Sequence, residues 1–189
     1  VFGSHLLSLL EAVNKTDAGF LTREDEIINP DGWILLSFIM DPRTGLGRFK
    51  DYRIANYQLM MNLIGYCRSM SVDQILDIPD VKERTVRYFE QQDLFIKMLK
   101  RCCLTDQNII VNNLLDEEVI YCGNRFIVYS LFPEQNIEIR IMWGRNKQNV
   151  VFAVGHSITN RSSLTNVGEL MYQYGGGGHE YVGTCQIPR

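Results

Sequence analysis

The spacing of apolar residues changes near residue 103. Upstream, apolar residues recur every seven positions through residues 80–103: Val81, Tyr88, Phe95 and Cys102. Such a stripe predicts one long amphipathic helix. Downstream, isoleucines alternate with charged residues over residues 137–141, which is typical of a strand with one solvated face. The chain therefore changes from helical to sheet-forming sequence, and an α/β class follows.

Further strands are predicted on both sides of that alternating segment. Residues 118–122 and 125–130 flank a Gly-Asn pair at 123–124, which is a strong signal for a two-residue β-hairpin. Residues 150–154 form a continuous apolar run that suits a central strand buried on both faces. Residues 184–187 are expected to close the sheet.

Helices are predicted around this sheet and before it. Asn166 with Glu169 resembles a capping box at a helix start, and Gly175 stands where that helix should end. Apolar residues at helical spacing also predict helices over residues 1–18 and 54–70. A polar segment at 22–26 is typical of a helix start, whereas residues 69–79 are expected to be a connection.

We therefore expect three parts. Residues 1–75 are predicted to be a mostly helical piece of an α/β domain, and residues 76–104 a long linker helix. Residues 105–189 are predicted to be a mixed-sheet domain with flanking helices. The chain lacks an initiator methionine and opens within an apolar helical pattern, so we expect a piece of a longer protein.

Composition excludes several classes of protein. No apolar run approaches the ~20 residues that span a bilayer, and no secretory leader pattern opens the chain, so we expect a cytoplasmic protein without membrane contact. Five cysteines lack framework or C-x-x-C spacing, which favours reduced thiols. A formal net charge of −3 argues against bulk binding of long nucleic acid.

The most unusual motif is the glycine run at residues 175–178, followed at once by His179. Each glycine is costly to order, and a helix end needs only one. Bare backbone amides can line a concave anion-binding nest, and a histidine adds a donor that carries charge near neutral pH. The alternatives are a flexible loop and a surface or packing histidine.

A polar cluster at residues 157–163 supports the binding interpretation. It follows the predicted central strand, where α/β sheets place ligand contacts. Arg161 offers a planar fork that suits a phosphate, and Ser162 adds a hydroxyl beside it. The helix start at Asn166 favours an anion through its dipole. Together with the glycines and His179, these residues predict a phosphate pocket.

These residues resemble the substrate-binding C-terminal domain of DHH-family phosphoesterases, over residues 105–189. The family includes RecJ-like nucleases, nanoRNases, cyclic dinucleotide phosphodiesterases and proteins labelled exopolyphosphatase-related. The resemblance implies that substrate phosphate or nucleotide is held by the following residues: Arg161, Ser162, Gly176, Gly177, Gly178 and His179. Small residues often follow the histidine in the family as H-x-x-A-A-G. Here Tyr181 precedes Val-Gly-Thr, and its ring either stacks on a base or packs on the sheet.

The resemblance also implies catalysis by two manganese ions bound in an N-terminal domain. No Asp-His-His occurs in this chain, whose three histidines are His5, His156 and His179. Residues 1–70 resemble the end of that catalytic domain, and Asp17 is a candidate metal ligand. The alternative for Asp17 is a turn or N-cap role. We predict an incomplete metal site and a chain that is nearly inactive alone.

The function expected from the sequence is substrate binding within a manganese-dependent phosphoesterase. Its ligand is expected to be a phosphate-bearing small molecule or short oligonucleotide, and pairing into a homodimer is also expected. One alternative is a non-catalytic module that binds small nucleotides. Another is an RNA-binding appendage like that of alanyl-tRNA synthetases, which the net charge disfavours.

Overall fold

The computed structural model describes residues 6–21 and 24–189, which form two compact units. Unit 1 contains the described residues up to Phe95 together with Tyr121–Ile127. Unit 2 contains Ile96–Ile120 and Val128–Arg189. Helices build unit 1 and a six-stranded mixed sheet builds unit 2, so the predicted α/β class is confirmed. The assignment of the parts to a catalytic and a substrate-binding domain stays a prediction.

Unit 1 is built from short helices and the first part of one long helix. The helices are α1 (Leu7–Asp17), α2 (Glu24–Ile28), α3 (Gly32–Met40), α4 (Asn56–Ser69), α5 (Val72–Leu76) and α6 (Pro79–Cys102). The helices predicted over residues 1–18 and 54–70 are confirmed, except that residues 1–5 lie outside the described residues. Residues 22–23 of the predicted helix start also lie outside them. The long helix predicted at 80–103 is α6.

The core of unit 1 joins α3, α4, α5 and α6 through buried aliphatic side chains: Leu36, Leu59, Leu63, Ile75 and Val81. The prediction of a plain connection over residues 69–79 is wrong, because α5 forms there. Ser71 and Gln74 make a reciprocal capping box, with the Gln74 amide donating to Ser71 Oγ at 3.3 Å and the Ser71 amide donating to Gln74 Oε1 at 2.9 Å.

Helix α4 is apolar on two sides. Leu59 and Leu63 face the core, while a second set of large apolar side chains is exposed: Tyr57, Met60, Met61 and Ile64. Apolar residues at i, i+3, i+4 and i+7 form a continuous stripe on a helix. The expected homodimer stays a prediction.

The β-hairpin predicted around residues 123–124 is wrong. Residues 118–126 form no strand, and α7 (Ile127–Leu131) occupies most of the second predicted strand. Asn124 is buried, and its side-chain amide donates to the Ile27 carbonyl oxygen at 2.9 Å and to the Tyr88 hydroxyl at 2.8 Å. A Cβ at Gly123 would overlap the Phe95 ring. The Gly-Asn pair therefore serves buried packing in unit 1 and forms no hairpin turn.

The sheet of unit 2 contains β1 (Cys103–Asp106), β2 (Ile109–Asn113), β3 (Ile137–Trp143), β4 (Asn149–His156), β5 (Gly177–His179) and β6 (Val182–Pro188). Their order is β1-β2-β3-β4-β6-β5, with β2 and β3 parallel and the other neighbours antiparallel. The real hairpin of this region joins β1 to β2 through Gln107, whose φ is +50°.

Strand β4 lies in the interior of the sheet, as predicted, and β6 closes against it. Burial on both faces is not observed, since Val154 is the one buried residue of β4. Helix α8 (Val167–Gln173) covers one face, where Val167 and Met171 pack on Ile137, Val154 and Cys185.

The strand directions determine which loops meet. Because β4 and β5 are each antiparallel to β6, they run in the same direction. The ends of β4 and β5 therefore lie at the same edge of the sheet. Among residues 6–21 and 24–189, no helix has both the length and the apolar character required to cross a bilayer.

Candidate substrate-binding site

The glycine run begins as the cap of α8. Gly175 adopts φ +74°, a left-handed conformation that suits glycine. Its amide donates to the Tyr172 carbonyl oxygen at 3.1 Å, and the Gly176 amide donates to that of Met171 at 2.9 Å. This pair of bonds is the Schellman motif. The prediction that Gly175 ends the helix is confirmed.

Gly177 and Gly178 are extended, so these two glycines do not form the expected concave nest. Gly177 and Gly178 belong to β5, the edge strand that pairs with β6. A Cβ at Gly176 would overlap the Thr184 carbonyl oxygen, and one at Gly178 would overlap that of Val182. These two glycines allow close backbone packing. Gly177 differs, because no atom lies within 4 Å of the position a Cβ would take.

The start of α8 is largely satisfied within the protein. Asn166 Oδ1 accepts a hydrogen bond from the Glu169 amide at 3.1 Å, as predicted for a cap, and the Val167 amide donates to the Glu180 carbonyl oxygen at 2.9 Å. The amides of Val167 and Glu169 are therefore bonded within the protein and are not open to an anion. The second bond ties α8 to the turn between β5 and β6.

We call residues 157–165 the β4–α8 loop; side-chain hydrogen bonds hold it. Asn136 Nδ2 donates to Ser162 Oγ at 2.9 Å, and Ser162 Oγ donates to Asn160 Oδ1 at 2.7 Å. Asn160 Nδ2 donates to the Glu134 carbonyl oxygen at 2.8 Å. Buried Ser157 accepts from the Asn160 amide at 3.0 Å. Since the Ser162 hydroxyl proton is used inside the loop, Ser162 chiefly positions its neighbours.

Arg161 lies on this loop with an exposed side chain. Its Nε donates to the Ile158 carbonyl oxygen at 3.2 Å, which ties the base of the guanidinium to the loop backbone. The head group is thus presented from a constrained segment at the same edge of the sheet as the end of β5.

His156 has a structural role that the sequence did not indicate. Its Nε2 donates to the Thr165 carbonyl oxygen at 2.8 Å, which joins the two ends of the β4–α8 loop. Its ring meets the Tyr181 ring edge-on at a centroid distance of 5.4 Å, and its amide donates to the Tyr181 carbonyl oxygen at 2.9 Å. Tyr181 therefore packs on His156, although its side chain stays exposed.

An open groove of about 610 Å³ lies between α8 and β5. It brings together three of the predicted binding residues, Gly177, Gly178 and His179. Arg161, Ser162 and Gly176 do not line it. Three predicted residues thus line the groove, two lie on the β4–α8 loop, and Gly176 packs against β6 outside both. The role of each residue in binding stays a prediction.

The groove is also lined by residues that the sequence did not indicate as binding residues, among them Glu169, Tyr172, Gln173 and Glu180. The first three stand at i, i+3 and i+4 on α8, so they share one face of the helix. That helical spacing is visible in the sequence. The strand that faces the helix is not, because two of the three residues of β5 are glycines.

Two weakly acidic groups beneath the site are held neutral. Burial raises the pKa of Tyr129, whose hydroxyl donates to the Gly155 carbonyl oxygen at 3.5 Å. Burial also raises the pKa of the Cys185 thiol. Both groups stay protonated at neutral pH, so neither of them contributes a charge.

Asp17, the predicted metal ligand, is the last residue of α1 and is exposed. It therefore caps no helix start, and it precedes a turn in which Gly19 has φ +62°. Within the described residues, no group of three or more His, Cys, Asp or Glu side chains is arranged to hold a metal ion. The described residues therefore do not fit a two-metal centre. His5 lies outside the described residues. The binding of manganese stays a prediction.

The chain was compared with protein families, curated proteins and solved structures. No protein-family model matches the chain, and no curated protein matches it. Among solved structures, the chain is similar to a pGpG-specific phosphodiesterase, PggH, from Vibrio cholerae, with 51% sequence identity and a TM-score of 0.88. The match covers 99% of this chain and 62% of that chain. The chain thus spans about three fifths of the length of the solved protein.

Proposed function

We propose that this chain is the substrate-binding part of a DHH-type phosphodiesterase that acts on short nucleotides such as pGpG. The observation that carries the proposal is the 51% identity with PggH over 99% of the chain. The match spans 62% of PggH. We therefore propose that these residues bind the substrate, and we assign them no hydrolytic step.

The geometry at the sheet edge suits a phosphate-bearing ligand with an extended shape. The Arg161 guanidinium is the cation of the β4–α8 loop, and such a fork pairs with phosphate oxygens. His179 ends β5 at the same edge and lines the groove. A dinucleotide would place a phosphate at Arg161 and extend into the groove past His179.

Titration of pGpG into the purified chain, followed by calorimetry, tests this proposal. We expect Arg161→Ala and His179→Ala each to weaken binding by about tenfold to a hundredfold, the range for loss of a charge-assisted hydrogen bond. Arg145→Ala is the matched control, because Arg145 is exposed and lies between β3 and β4, at the opposite edge of the sheet. Equal affinities for all four proteins would remove the assignment.

The alternative is a non-catalytic nucleotide-binding module. The described residues contain no cluster of three metal-ligating side chains, which is compatible with both functions. Incubating the chain with pGpG and manganese and measuring released GMP by chromatography tests whether these residues hydrolyse the ligand by themselves. We expect binding without turnover from these 189 residues. Brisk release of GMP would contradict that expectation and make the chain itself an enzyme.

A further inference from the structure

The groove between α8 and β5 carries more negative charge than a bare phosphate site should. Glu169 and Glu180 both line it, and no ion pair joins either carboxylate to another described residue. Two carboxylates repel a phosphate at short range. They instead accept hydrogen bonds from a ligand group that offers N–H donors.

An aromatic ring stands beside one of these carboxylates. Tyr172 lies three residues after Glu169 on α8, so both side chains project from one face of the helix. Tyr172 is 78% exposed, which leaves its ring available. Exposed aromatic rings at nucleotide sites stack on the flat face of a base, largely independently of which base it is.

The position of Glu169 relative to β5 is fixed by backbone contact. Gly168 lies so close to β5 that a Cβ there would stand 3.0 Å from the Gly178 carbonyl oxygen and 3.1 Å from that of His179. The bond from the Val167 amide to the Glu180 carbonyl oxygen holds the same turn of helix. Glu169 is therefore carried by a rigid element, whereas Glu180 lies in a turn.

We propose that this groove binds a guanine base, with the Glu169 carboxylate accepting hydrogen bonds from guanine N1–H and N2–H and the Tyr172 ring stacked on the base. Guanine presents two adjacent N–H donors on its Watson–Crick edge, and the two oxygens of one carboxylate match them. Adenine offers a donor only at N6 on that edge. The inference rests on the proposed function and names the residue that selects the base.

Binding of three dinucleotides tests the base assignment: pGpG, pApA and pIpI, in which hypoxanthine keeps N1–H but lacks the N2 amino group. We expect pGpG to bind at least about tenfold more tightly than pApA, the range for one bidentate base contact, with pIpI between them. Glu169→Gln should remove this preference by weakening pGpG while leaving pApA unchanged. In this variant the backbone amide of residue 169 still donates to Asn166 Oδ1. Circular dichroism checks that the fold is kept.

Three further variants separate the contributions. Tyr172→Leu should weaken pGpG and pApA by the same factor, because stacking does not distinguish the bases. Glu118→Gln, an exposed carboxylate elsewhere in unit 2, should change nothing. If Glu180→Gln removes the preference and Glu169→Gln does not, the choice of Glu169 is overturned.

The failure of this inference differs from the failure of the proposed function. Equal binding of pGpG, pIpI and pApA by the wild-type chain would overturn guanine selection and leave nucleotide binding intact. Absence of binding by all three would overturn the proposed function itself.

Discussion

The β4–α8 loop and the glycine run meet at one edge of the sheet, but different interactions hold them in place. In the loop, the side chains of Asn136, Ser162 and Asn160 bond to one another and to the backbone. In the glycine run, strand pairing and a helix cap set the backbone, and no room is left for a side chain at Gly176 or Gly178. The loop should therefore lose stability when a side chain is removed, and the run when one is added.

The largest effect is expected from adding a side chain in the run. Gly178→Val should lower the free energy of unfolding by about 3 kcal/mol, since the new Cβ overlaps backbone atoms of β6 and forces strand movement. Chemical denaturation measures it. Gly177→Val is the matched control, because the same substitution there meets no atom within 4 Å. Equal losses at the two positions would contradict the comparison.

Removing a side chain from the loop network should cost less. Asn136→Ala should lower the free energy of unfolding by about 2 kcal/mol, because it removes the donor to Ser162 Oγ and leaves the Asn108 side-chain amide without its acceptor. It should also weaken pGpG binding, because Arg161 sits on the loop that Asn136 holds. Denaturation and calorimetry on the same samples measure both quantities.

Asn108→Ala controls that result, since it removes the bond to Asn136 without touching Ser162. We expect a smaller loss of stability and an unchanged affinity for pGpG. If Asn108→Ala weakens binding as much as Asn136→Ala does, the loop does not transmit the effect.

The sequence predicted these regions unequally, and the reason is the range of the interactions. The long helix α6 and the cap at Asn166 were predicted because heptad spacing and capping are local patterns. The hairpin at residues 123–124 was wrongly predicted, because Asn124 bonds to Ile27, 97 positions away. A rule that considers only neighbouring residues cannot predict that contact.

The candidate site shows the same division. Arg161 and His179 stand out in the sequence through their neighbours, and both lie at one edge of the sheet as strand–loop order implied. The groove did not stand out, because the glycines that form β5 have no strand propensity. These glycines form a strand only because they pair with β6. That strand is one side of the groove that Glu169 lines.

A smaller effect on stability is expected at His156, whose ring contacts Tyr181 and bonds to the β4–α8 loop. His156→Phe keeps the aromatic contact with Tyr181 but loses the hydrogen bond to the Thr165 carbonyl oxygen. One such bond contributes about 1 kcal/mol to stability, so the denaturation midpoint should fall modestly. His156→Ala, which removes the ring as well, should cost more; an equal cost for both would show that the ring contact contributes nothing.

The smallest effect on stability is expected at Gly177, and it makes the sharpest test of function. Gly177→Ala should change the free energy of unfolding by no more than about 0.5 kcal/mol, because its methyl group enters open space. Gly177 nevertheless lines the groove, so the same methyl group should obstruct a ligand that approaches bare backbone. Calorimetry with pGpG should then show weaker binding by a fully stable protein. Unchanged affinity would mean that no ligand comes near this glycine, and the run would be explained by helix capping and strand packing alone.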